Sequence, residues 1–206
     1  MLAKSHPLHA RSRTSRLPGS VEGNERLTAS IALVLLVLLF VEGLTVVSVQ
    51  QLLTWHVFIG LLLIPPVAIK VASTSWRFFN YYAGAQAYVR NGPPKPLLRL
   101  LGPVVVVLTI ILFATGIALI VVAPHSLRPQ LLQWHRLSFI AWFAVMAVHV
   151  LAHLGETVSI APRDWFRRTR RQVDGASARV WTLSASLAVG LVGALWLTPY
   201  AAHWRF

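Results

Sequence analysis

Apolar residues fall along this chain in five long runs, and nearly every charged residue falls between them. The runs cover residues 27–48, 52–73, 101–123, 134–155 and 180–200. Each approaches the ~20 residues a helix needs to cross a hydrocarbon layer of ~30 Å. The runs are continuous rather than alternating, which excludes a spanning barrel and predicts helices that satisfy their own backbone. The expected fold is an all-α integral membrane protein. A four-helix bundle occupies residues 27–156, a basic cytoplasmic loop 157–179, and a fifth transmembrane helix with a short outer C-terminus 180–206. The fifth helix is expected to pack loosely beside the other four. Residues 1–26, with few apolar positions at helical spacing, predict a disordered basic tail. The first apolar run is too long for a secretory signal and lacks a small-residue cleavage site after it.

Composition agrees with that pattern. The chain is 56% hydrophobic and 12% charged, about half the ~25% charged residues of a soluble domain. A net charge of +13 would suit nucleic acid on a solvated domain. Here the basic residues sit beside runs of membrane length, so membrane lipid with anionic headgroups is the expected partner, and nucleic acid is not. Fifteen Lys and Arg lie in residues 1–26, 74–100 and 157–179, against only Arg128 and Arg205 in the opposite segments. That asymmetry places the N-terminus in the cytoplasm and the C-terminus outside. The chain has no cysteine. Disulfides, thiolate metal sites, cysteine-ligated clusters and c-type haem are thereby excluded, and any redox cofactor must be held chiefly by histidine.

Of eight histidines, His6, His9, His125 and His203 lie outside the runs and receive no role. His56, His135, His149 and His153 lie within them, where an ionisable side chain is costly and a functional reading is the default. His56 opens the second run and His135 the fourth, each just after a tryptophan, in Trp55-His56 and Trp134-His135. One such pair is plainly read as interfacial, beside the aromatic belt. Two matched pairs at one depth favour a pair of axial ligands for a haem b iron, with the porphyrin standing between the helices. Gly60, one turn below His56, and Gly116 in the third run are expected to leave room for a flat macrocycle.

His149 and His153 lie 14 and 18 residues beyond His135, hence on the same helical face at ~100° per residue. His149 falls about 21 Å further along the axis. A second, inner haem with His149 as a metal ligand is one reading; a quinone site, a proton site or a structural pair is the other. Both stay open. Lys70 is the nearest partner at that level, to pair with a haem propionate, to snorkel, or, as a deprotonated amine, to ligate. Arg136 is read as binding either propionates or headgroups. Glu42 is expected to tilt to the outer interface rather than exchange protons, and Pro65 and Pro66 to kink the second helix.

The fourth run, with Trp134-His135, His149 and Ala152-His153-Leu154, resembles the last core helix of the bacterial cytochrome b561 family. His56-Val57-Phe58-Ile59-Gly60 with Lys70 beyond resembles that family's second helix. The likeness covers about residues 27–156. It implies a plasma-membrane b-type cytochrome of bacterial type, with electrons passing between quinone and a redox partner. By that resemblance His56 and His135 hold the outer haem and His149 is one ligand of an inner haem. The family's other inner ligand is a histidine early in the first helix, and residues 27–33 contain none. A single-haem variant, or an unusual inner ligand, is what the departure implies.

The functional expectation is electron transfer between quinone or quinol and an extracytoplasmic redox protein, alone or as the membrane subunit of an oxidoreductase. The rivals are a proton-coupled transporter lined by Glu42, Lys70, His149 and His153, and a cofactor-free membrane anchor subunit.

Overall fold

The computed structural model describes residues 21–90, 96–121 and 126–201. In chain order the elements are α1 (Val21–Val47), α2 (Val49–Tyr82), a single turn α3 (Gln86–Val89), α4 (Pro96–Val121) and α5 (Arg128–Ile160). A 3-10 turn (Ala161–Asp164), a second single turn α6 (Arg167–Arg170) and α7 (Ala176–Ala201) complete them. Five of these helices are long and apolar enough to cross a membrane. The chain is an all-α protein of multi-pass membrane type. Tryptophans mark both ends: Trp55, Trp134 and Trp196 are exposed at one, Trp76, Trp165 and Trp181 at the other, as interfacial girdles are.

Two antiparallel hairpins form the frame. In the first, α1 and α2 meet around Ser48, and the Lys70 Nζ donates to the Thr28 carbonyl at 3.0 Å. Glu42 pairs with His56 near the turn. Both contacts share one register, because fourteen residues separate Thr28 from Glu42 and fourteen separate His56 from Lys70. In the second hairpin α4 packs on α5, with Trp142 Nε1 donating to Thr109 Oγ1 at 2.8 Å. The hairpins join through α1 and α5, whereas α2 and α4 barely touch.

The core lies along α2, which is covered on two sides. Ile59 and Leu63 pack against Ile31 and Leu35 of α1. Val57 and Leu61, displaced by half a turn, pack against Ala194 and Ala201 of α7. Far from sitting loosely, α7 makes the most extensive helix–helix interface of the described chain. Small residues allow this, since close backbone approach is the main source of attraction between helices in lipid. The backbone dihedrals do not break at Pro65 and Pro66, where a kink is expected; non-helical values occur at Leu52 instead (φ −107°, ψ 18°). The two prolines lack the N–H groups that the Leu61 and Leu62 carbonyls would accept, and Gly190 of α7 abuts the Leu62 carbonyl.

The end opposite the two Trp-His steps is closed by charge. Asp164, 2% exposed, accepts from Arg179 Nε and Nη2 at 2.5 and 2.8 Å and from Arg26 Nη1 at 3.2 Å. Arg26 also donates to the Thr169 carbonyl at 3.0 Å and to Glu22 at 2.9 Å. The basic residues of the N-terminal tail and the 157–179 loop are expected to face anionic headgroups. Arg26 and Arg179 instead are buried, because Asp164 and Glu22 together balance their two charges and carbonyls take up further N–H groups. Helix α1 runs from Val21, inside the segment expected to be tail; residues 1–20 lie outside the described residues.

Candidate functional site

Two imidazoles meet between the hairpins. The ring centres of His56 on α2 and His135 on α5 are 6.3 Å apart, with planes crossing at 77°. Each ring is held by the neighbouring helix of its own hairpin. The His56 Nδ1 lies 2.9 Å from Glu42 Oε1 and 3.2 Å from Thr45 Oγ1, both on α1. The His135 Nδ1 lies 3.0 Å from Thr115 Oγ1 on α4.

The Thr115 hydroxyl has one proton to share between the carbonyls of Ile111 and Leu112, each at 2.9 Å, and presents its oxygen to the His135 Nδ1, which suits the tautomer with the proton on Nδ1 and the lone pair on Nε2. A carboxylate at the His56 Nδ1 imposes the same assignment on that ring. Both rings thus keep a basic Nε2 while Nδ1 is anchored, the arrangement in which metal-ligating histidines are commonly held.

A metal–imidazole bond is about 2 Å long, and roughly 1.1 Å more separates the nitrogen from its ring centre. Two such rings on one iron need centres about 6 Å apart, which the observed separation meets. Among the described residues no set of three or more His, Cys, Asp or Glu side chains is arranged for a bare ion. A haem iron asks for only two protein ligands, because the porphyrin supplies four.

The glycines divide. A Cβ at Gly116 would stand 3.2 Å from the His135 Cε1, so this glycine lets the imidazole lie against α4. A Cβ at Gly60 would meet Glu42 Oε1 at 3.5 Å, an ordinary contact. Arg136 is exposed beside His135. Glu42 does not tilt to the interface as expected. Its side chain is 14% exposed and turned to His56, because an imidazole N–H and the Thr45 hydroxyl offer it partners inside the bundle.

Lys70, His149, His153 and Glu156 gather at the other level. The Lys70 ammonium is near enough to Glu156 and His149 to interact with both. His149 and His153 have ring centres 4.9 Å apart, and the His153 Nδ1 lies 3.8 Å from Glu156 Oε2. The His149 Nδ1 is buried without a hydrogen-bond partner. Helix α1 contributes to this level the Thr28 carbonyl that holds Lys70, and no imidazole. Between the two levels the α1–α2 seam is Ile31, Leu35, Ile59 and Leu63.

The sequence pattern pointed to the histidine pair but not to Thr45 or Thr115. The available signal was spacing: Glu42 and Thr45 lie three residues apart, hence on one face of a helix, and Thr115 adjoins Gly116. No protein-family model matches this chain, and no curated protein and no solved structure matches it either.

Proposed function

We propose that this chain is a b-type cytochrome of a bacterial-type plasma membrane, moving electrons between quinone or quinol and an extracytoplasmic redox partner. The observation that carries the reading is the His56–His135 pair. Two imidazoles from different hairpins stand at the separation one iron requires, each anchored through Nδ1 with Nε2 left as the donor nitrogen. Haem b, held noncovalently, supplies one-electron chemistry at that place. His56 and His135 would hold the haem through their Nε2 nitrogens. Glu42, Thr45 and Thr115 hold the rings in orientation, Gly116 lets the His135 ring approach α4, and Arg136 is available to a propionate.

The excess of basic residues at the Asp164 end supports a cytoplasmic N-terminus, with the histidine pair toward the outer face. Arg90, Arg99, Arg163, Arg168, Arg170 and Arg171 are exposed there. The resemblance of the two Trp-His helices to the cytochrome b561 family supports the same reading and is the ground for naming quinone.

The test is an optical one on the full chain purified from haem-replete cells. Reduced-minus-oxidised b-haem bands are expected, and His56→Ala and His135→Ala should each abolish them. A colourless and stable wild-type preparation overturns the cytochrome reading in favour of a transporter or an anchor.

A further inference from the structure

The two imidazoles share a depth but not an electrostatic setting. His135 leans on a neutral oxygen, the Thr115 hydroxyl at 3.0 Å. His56 leans on a carboxylate, Glu42 at 2.9 Å. The carboxylate is itself fixed: Thr45 Oγ1 lies 3.3 Å from Glu42 Oε2 and donates to the Glu42 carbonyl at 2.6 Å. Thr45 is buried and Glu42 nearly so. The pair therefore sits where water screens charge poorly.

We infer that Glu42 is a positioning residue that lowers the reduction potential of the site by acting through His56. The inference rests on the reading of His56 and His135 as axial ligands. Two effects run in the same direction. An imidazole whose Nδ1–H donates to a carboxylate is a stronger donor at Nε2, which favours the more positive, oxidised metal. The fixed negative charge of Glu42 favours that same state through space, weakened little by solvent. A bound haem would supply the one-electron chemistry, and His56 and Glu42 would share the Nδ1 proton without giving it up. Thr115 supplies no charge on the other side, so the bias is one-sided. That bias favours the oxidised state of the site.

Potentiometric titration of the haem band in the full-length protein tests this. Glu42→Gln keeps the size of the side chain and an acceptor for Nδ1–H but removes the charge. A bis-imidazole spectrum like that of wild type is expected. The oxidised-over-reduced preference should fall roughly tenfold, a rise of about 59 mV for a one-electron couple. Glu42→Asp, which draws the carboxylate back by one methylene, should fall between the two. If Glu42→Gln does not load, Glu42→Asp alone decides: a potential above wild type supports the inference, and one equal to or below it overturns it. Loaded Glu42→Gln at or below the wild-type potential overturns it as well, leaving the ligand assignment standing. Wild type without haem overturns the assignment itself.

Discussion

The Leu62 carbonyl lies so close to Gly190 that a Cβ built on that glycine would stand 2.5 Å from it. The carbonyl is available because Pro66, four residues on, has no N–H to offer it. A helix that gives up a hydrogen bond at this point presents an oxygen that the α7 backbone can approach, as in the Cα–H···O contacts common between packed helices.

Gly190→Ala should therefore separate α7 from α2. The obstructing atom is backbone and cannot rotate away, so a cost of about 1–3 kcal/mol is expected, as for other overpacked sites. Gly193→Ala is the control, since a Cβ there meets nothing within 4 Å. Unfolding in mixed SDS micelles should show a loss for the first variant and none for the second.

Asp164 offers a second stability test. Replacing it with Asn leaves the Arg26 and Arg179 guanidiniums buried with no carboxylate between them. Removing one partner of a buried pair typically costs about 3–5 kcal/mol. The thermal midpoint of Asp164→Asn in detergent should drop well below that of an exposed substitution such as Asp174→Asn, whose side chain takes no part in this network.

The 77° angle between the His56 and His135 rings has a spectroscopic signature. Axial imidazoles that cross near a right angle give low-spin ferric haem a highly anisotropic EPR signal with one dominant low-field feature. Parallel rings give a rhombic signal instead. The oxidised protein should show the first kind, and a rhombic spectrum would mean that the rings turn on loading.

Haem stoichiometry tests the other level of the bundle. Lys70 is engaged with the Thr28 carbonyl, and α1 supplies no imidazole opposite His149. One haem per chain is expected, and His149→Ala and Lys70→Ala should each retain the full band intensity. Two haems per chain, with one lost in His149→Ala, would show that His149 has found a ligand across from it.

Much of this architecture is legible in the sequence because hydropathy is a local property. Five spans can be counted without knowing which touches which. The pairing of His56 with His135 is legible too, since depth in a membrane follows from residue number along a helix. What stays hidden depends on partners brought together by packing. Asp164 is 138 residues from Arg26, and nothing near either residue announces the other, so Arg26 reads as one more basic residue of a tail. Glu42 reads as an interfacial carboxylate until α1 and α2 are set in register and its oxygen falls on the His56 ring. Gly190 is one small residue among several on α7, and only the position of Pro66 on the facing helix distinguishes it from Gly193.

The clasp around Asp164 also bears on biogenesis. It joins Arg26, in the first of the five described spans, to Arg179, in the fifth. Arg26 and Asp164 can pair only after four spans are made, and the second arginine arrives only with α7. Until α7 is made, Asp164 has only one of its two arginine partners, so the clasp closes only when the fifth span is in place.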